Sequence, residues 1–228
     1  MRRRHFVISA AALGAAPAVW AAGSLKPGAH AALIVVDVQN CFVDGGTLPV
    51  KGGAEVVPVI NKLAPAFQNI VITQDWHTPG HASFASAHAG KKPFETTQLS
   101  YGTQVLWPDH CVQGTSGAEF HKDLNREKVD HIIQKGKNID FDSYSGFQDN
   151  NHFTKTGLDD YLKYHDIQLL EVVGLALDYC VKFTCLDAAQ LGYVTCLHFN
   201  GTRAVNVKPE NGKDAIYEML QNSVTILG

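Results

Sequence analysis

Six short runs dominate the hydrophobic pattern of the chain: "AALIVVDV", "NIVITQDW", "VDHIIQKG", "LLEVVGLA", "YVTCLHFN" and "SVTIL". They are rich in Val, Ile and Leu, and none shows the strict polar alternation of a strand with one wet face. Runs of this kind read as strands covered on both faces, the habit of parallel sheets. Between most of them lie stretches with apolar residues at helical spacing: "VVPVINKLAPAF", "GLDDYLKYH", the segment after Cys180, and "GKDAIYEML". Alternating strands and helices predict an α/β fold, a single-domain parallel β-sheet with helices on both faces.

Two stretches lack this pattern. Residues 78–131 are rich in Gly, Pro, His and Ser, and "NIDFDSYSGFQDNNHF" is equally irregular. Long irregular insertions in a compact domain are commonly functional. In parallel sheets ligands bind beyond the C-terminal ends of the strands. Reading those ends in order gives Asp37, then Asp75 and His77, then Lys135, then Asp178-Tyr179-Cys180.

Composition adds little to the fold and more to the setting. With 228 residues and 45% hydrophobic content the chain supports one sizeable core, assigned to residues 30–228. The first 22 residues differ: Arg2, Arg3 and Arg4 precede an apolar stretch that ends in small residues near Ala21 and Ala22. This is an export leader resembling the twin-arginine type, which implies a periplasmic or exported protein. The apolar stretch is shorter than the ~20 residues that span a bilayer. An uncleaved leader would instead leave a cytoplasmic or membrane-tethered protein. Its removal takes away three arginines and moves the formal charge from −3 to −6, 16 basic against 22 acidic residues, which argues against nucleic acid as a partner. The five cysteines form no C-x-x-C pair and are odd in number, so they do not read as a disulfide framework or a structural zinc site.

Cys180 follows a strand and opens a helix-like segment, where unpaired backbone N–H groups and the helix dipole favour a thiolate. Most cysteines are simply small buried hydrophobes, a description that fits Cys185 and Cys196. A thiol nucleophile needs a proton acceptor and a nearby positive charge, which Asp37 and Lys135 can supply from neighbouring strand ends. In "TQDWHTPGH" Asp75 and His77 are two apart, so an extended strand projects both from one face. A carboxylate with imidazoles suits Zn²⁺, Mn²⁺ or Fe²⁺. His110 in "WPDHC" completes three ligands; His81 is a fourth candidate and His88 a weaker one.

Taken together, "DVQNCF", "QDWHTPGHASFASAH", "WPDHCVQGTSGAEFH", "QKGKNIDFDSYSGFQDN" and "GLALDYCVKFTCLDAAQLGY" resemble, in order, the bacterial nicotinamidases (pyrazinamidases) of the isochorismatase-like cysteine hydrolases. The resemblance runs from about Ala32 to the C-terminus and implies a three-layer α/β/α hydrolase fold. It implies a catalytic triad of Asp37, Lys135 and Cys180, metal ligands Asp75, His77 and His110, and an oxyanion hole from the backbone N–H groups of Ala176 and Cys180. Phe42, Trp107 and Tyr144 fall where the family lines its ring-binding pocket. The implied reaction is hydrolysis of nicotinamide or a related aromatic amide, with one divalent transition metal, zinc foremost. Another small-amide hydrolase of the superfamily and a non-catalytic periplasmic ligand-binding protein remain the alternatives; a homo-oligomer is left open. Three features depart from the family: Cys41 replaces the usual Asp, Leu177 the usual Thr, and the leader is extra. The first two are expected to bear on substrate fit or efficiency.

Overall fold

The computed structural model describes residues 27–228, so the leader expected over residues 1–22 lies outside the described residues. In chain order the strands are β1 (Ala31–Val36), β2 (Asn69–Asp75), β3 (Thr96–Leu99), β4 (Gly102–Val105), β5 (His131–Lys135), β6 (Leu169–Leu175), β7 (Val194–Arg203) and β8 (Thr225–Leu227). The α-helices are α1 (Val56–Leu63), α2 (Leu158–Tyr164), α3 (Lys182–Gln190) and α4 (Asn211–Gln221).

Six strands form one sheet in the order β5-β2-β1-β6-β7-β8, and every neighbouring pair is parallel. All six predicted strands and all four helical stretches are present. β1 lies at the centre with all six residues buried. Leu33 and Val35 enter one core with Val57 and Ile60 of α1. Ala32, Ile34 and Val36 enter the other with Leu158 and Leu162 of α2, Cys185 and Ala188 of α3, and Met219 of α4. A strand covered on both faces has no solvated side, which is why its sequence lacks polar alternation. Among the described residues no helix is long and apolar enough to cross a membrane.

Strand order reverses its direction of growth between β1 and β6, the position at which an open parallel sheet leaves a crevice at its C-terminal edge. Two local features there differ from the sequence reading. The segment after β6 is not the start of an α-helix: Leu177–Val181 forms a π-helical turn, and α3 begins only at Lys182. Cys180 is therefore inside a wide turn that leads into the helix, a form often found at functional sites. Within residues 78–131, β3 and β4 pair as an antiparallel hairpin that weak periodicity had concealed.

At Gly174 the backbone of β1 leaves no room for a side chain on β6. Gly174 pairs with Val36 and has φ +113°, and a Cβ at this position would lie 2.0 Å from the Val36 carbonyl oxygen. No side chain fits without moving one of the two central strands. Gly174→Ala is expected to destabilise the domain by ~3 kcal/mol or more, or to leave it insoluble. Urea unfolding within 1 kcal/mol of the parent would contradict the closeness of this contact.

Candidate active site

The sheet register assembles one half of the site. β2 and β5 pair Asp75 with Lys135 directly, and Asp37 follows the last residue of β1 with φ +47°, a left-handed conformation that Asp tolerates better than most residues. The Lys135 ammonium, fully buried, lies 2.9 Å from Asp37 Oδ2 and 2.9 Å from Asp75 Oδ1. It donates to the Ser143 carbonyl at 2.8 Å and lies 3.4 Å from Cys180 Sγ. Thr73 donates its hydroxyl to Asp37 Oδ1 at 2.6 Å, fixing that carboxylate from the neighbouring strand. Asp37, Lys135 and Cys180, more than 40 residues apart in sequence, thus form one contact group around the ammonium.

Burial dominates the electrostatics. It opposes charge on Lys135, but Asp37, Asp75 and Cys180 outweigh it and hold the ammonium protonated, well above its ordinary value. Burial raises the Asp37 carboxyl, and the attraction of Lys135 only partly restores it. Burial also pushes the Cys180 thiol up well above its ordinary range; Lys135 pulls it down, while Asp37 and Asp75 push it further. The sequence reading of a dipole-lowered thiol is corrected here. Cys180 is desolvated in a π-helical turn rather than placed at an open helix terminus, and its proton has to be taken by a neighbour. A carboxylate with a raised pKa is a better base than an ordinary one.

The other half is a group of three potential ligands, Asp75, His77 and His110, with donor atoms all within 4.8 Å of one another. Hydrogen bonds fix both imidazoles. His110 Nδ1 donates to the Pro108 carbonyl at 2.8 Å, which leaves Nε2 as the acceptor, 3.4 Å from Asp75 Oδ2. His77 Nε2 donates to Asp142 Oδ1 at 3.2 Å, which leaves Nδ1 unprotonated, 3.6 Å from Asp75 Oδ2 and buried without a hydrogen-bond partner. Two imidazole lone pairs and a carboxylate oxygen facing one point, one of them otherwise unsatisfied, fit a divalent transition metal. Burial opposes the charge on Asp75, but with no metal on the Nδ1 lone pair the imidazolium form of His77, which Asp75 itself favours, and Lys135 outweigh it and keep the carboxyl ionised, well below its usual range.

His81 does not join this group. Its Nε2 donates to the Asn138 carbonyl at 2.8 Å and its Nδ1 accepts from the Ser83 hydroxyl at 2.8 Å; His81 instead falls with His77 and Asp142 in a second group whose donor atoms lie within 4.8 Å of one another. His88 faces the Ala82 carbonyl instead. Gly136, directly after Lys135, has φ +68°, and a Cβ there would lie 3.0 Å from His77 Nε2, so the ligand is seated against bare backbone.

Phe42, Trp107, Tyr144, Ala176 and Cys180 line one cavity together with Asp75 and His110. The pocket aromatics predicted from sequence are therefore brought together, and Ala176 and Cys180 border the same space. Trp107 Nε1 donates to the Tyr144 hydroxyl at 3.1 Å. The open space is only about 20 Å³, so a ring-sized ligand displaces wall side chains as it enters. A larger cavity, about 820 Å³, is a groove between β7 and α4 and is lined by none of Asp37, Lys135, Cys180, Asp75, His77, His110, Phe42, Trp107 and Tyr144.

Sequence reasoning missed Asp142 and Tyr179. Asp142 carries His77 and also accepts from Gln104 Nε2 at 2.8 Å; Tyr179 packs edge-on to Trp107, ring centroids 4.7 Å apart. "NIDFDSY" offers two aspartates in alternate positions and no means of choosing between them. Tyr179 was passed over as a neighbour of the cysteine.

Comparison with known proteins follows the geometry. The chain is 46% identical over 202 residues to a nicotinamidase of Acinetobacter baylyi, spanning 88% of this chain and 93% of that one. A solved nicotinamidase/pyrazinamidase of Acinetobacter baumannii superposes with a TM-score of 0.87 at 46% identity, covering 89% and 97% of the two chains. A zinc complex of a Pyrococcus horikoshii pyrazinamidase superposes with a TM-score of 0.70 at 35% identity, covering 87% and 98%. Residues 31–227 match the isochorismatase domain, and the chain belongs to that family.

Proposed function

We propose that the chain hydrolyses nicotinamide to nicotinate and ammonia through a thioester on Cys180, and that it accepts pyrazinamide as well. The observation that carries this reading is the contact of Cys180 with the Asp37–Lys135 pair beside the Asp75, His77 and His110 group, in one aromatic-walled cavity. The names of its relatives at 46% identity supply the substrate class.

Phe42, Trp107 and Tyr144 hold the ring, and Asp75, His77 and His110 would hold the metal. When bound, the metal, zinc by preference, supplies a Lewis-acidic contact that orients the substrate's ring nitrogen. The rest of the chemistry is the chain's own. Asp37 takes the proton of the Cys180 thiol while Lys135 stabilises the sulfur anion, and the thiolate attacks the carboxamide carbon. The backbone N–H groups of Ala176 and Cys180 receive the oxyanion, a contribution of ~2.7–4 kcal/mol for one such donor. Asp37 then passes its proton to the amide nitrogen, the C–N bond breaks, and ammonia leaves the thioester behind. Water enters the vacated space and gives a proton to Asp37 as its oxygen attacks the thioester. Cys180 departs and recovers that proton, and the acid is released as nicotinate once the second proton of the water passes to solvent.

We propose in addition that the chain is exported. Arg3-Arg4 followed by an apolar stretch that ends in small residues supports it.

Purified wild-type protein is expected to release ammonia from nicotinamide, with Cys180→Ala inactive but carrying wild-type metal content. Turnover by the variant within a few fold of wild type would remove Cys180 from the nucleophile role. His110→Ala is expected to lose metal, by 10-fold or more in affinity, and an unchanged stoichiometry under chelator challenge would discard that ligand. For export, fractionation of cells expressing the full chain is expected to find a processed protein in the periplasm. Arg3→Lys/Arg4→Lys should leave the unprocessed chain in the cytoplasm, and equal distribution of the two would refute the leader.

A further inference from the structure

Cys41 and Cys111 are 70 residues apart in sequence, and the fold joins them as a disulfide with Cα atoms 5.6 Å apart, inside the range such a bond requires. Both are buried, and the remaining cysteines, Cys180, Cys185 and Cys196, are free thiols. The pairing was not legible as a framework because neither residue belongs to a spaced motif; tertiary contact alone brings them together.

What the bond connects is informative. Cys41 is the middle residue of the turn Asn40–Phe42, which follows Asp37 and presents Phe42 to the cavity. Cys111 directly follows His110, has φ +44°, and accepts the His77 N–H on its carbonyl at 3.0 Å. His77 in turn accepts the Gln113 N–H at 2.9 Å, so two backbone bonds tie the His110 loop to the extension of β2. The Phe42 and His110 rings lie 5.6 Å apart, centroid to centroid. One covalent link therefore joins the segment bearing a pocket aromatic to the segment bearing one imidazole and supporting the backbone of another.

We infer that the Cys41–Cys111 disulfide is a positioning cross-link of the active site, fixing His110 against His77 and Phe42 so that the metal group and the ring pocket keep one geometry. It rests on the reading of Asp75, His77 and His110 as metal ligands. Opening the bond relaxes the His110 loop and the Phe42 turn relative to one another. A trialkylphosphine can supply the two electrons: it takes the oxygen of one water to become the phosphine oxide, and the two protons of that water end on the two sulfurs.

The test uses the purified full chain and zinc alone as the first probe. Alkylation in denaturant without reductant is expected to label three cysteines, rising to five after phosphine, with a Cys41–Cys111 peptide in the unreduced digest; five labels without reductant would overturn the inference. In Cys41→Ser/Cys111→Ser, zinc affinity by competition with a chromophoric chelator is expected to fall about 10-fold or more. The KM for nicotinamide should rise more than kcat falls. Zinc affinity and KM within twofold of the parent, with only a lower thermal midpoint, would make the bond a staple of the fold and overturn the inference. Should the double variant not fold, the same zinc titration is made on the parent after phosphine treatment and its anaerobic removal, with the same two outcomes. Zinc affinity is measured apart from turnover, so failure of the cross-link and failure of the nicotinamide reading are distinguishable.

Discussion

A buried ammonium with two carboxylates is the constraint on which the rest of the site depends. Lys135 has no access to water, and a cation in that position persists only if opposing charge and hydrogen bonds replace its hydration. Asp37, Asp75 and the Ser143 carbonyl supply both. Removing one member of a buried pair typically costs ~3–5 kcal/mol, a large part of the ~5–15 kcal/mol by which domains are stable at all. Because the three side chains come from the ends of β1, β2 and β5, this requirement pins the sheet register where the chemistry occurs. A slip of one residue in β2 against β5 would face Lys135 with Gln74 or Trp76 and leave the ammonium unpaired.

Asp75 divides its two oxygens between two tasks. Oδ1 accepts from Lys135, while Oδ2 lies toward His77 and His110. The Asp37–Lys135–Cys180 group and the Asp75–His77–His110 group are therefore not separate clusters sharing a cavity; they are joined through one carboxylate. Asp142 extends the same order outward, setting the His77 tautomer while accepting from Gln104, which also donates to the Tyr144 hydroxyl. Hydrogen bonds through the Ser143 backbone and Asp142 connect the Lys135 ammonium with His77, Gln104 and the Tyr144 hydroxyl, so the position of each depends on the others.

This organisation explains what could be read from sequence. Strands buried on both faces leave unbroken apolar runs, and a polar residue ending such a run has few places to go except the crevice, so Asp37, Asp75, Lys135 and Cys180 were visible. Features set by tertiary contact alone were not. The π-helical turn at Leu177–Val181 has the apolar spacing of an ordinary helix. His81 has the right residue type and place, but its ring is committed to Ser83 and Asn138, a matter of hydrogen bonding that no spacing reveals. Asp142 and the partner of Cys41 depend on where two irregular segments cross.

The two substitutions near the motifs change meaning in this light. Leu177, expected to affect substrate fit, is absent from the cavity wall; it lies in the second core and borders the groove beside α4. It opens the π-helical turn, and its apolar character suits burial at 5% exposure, where a hydroxyl would need a partner. Cys41 is likewise off the wall, yet its neighbour Phe42 is on it, and its sulfur is joined to the residue after His110. Neither residue lines the cavity, so an effect of either on the reaction passes through the placement of residues that do. The covalent link at Cys41 stiffens the chain where the turn bearing Phe42 meets the His110 loop, and makes that stiffness depend on the redox state of its surroundings.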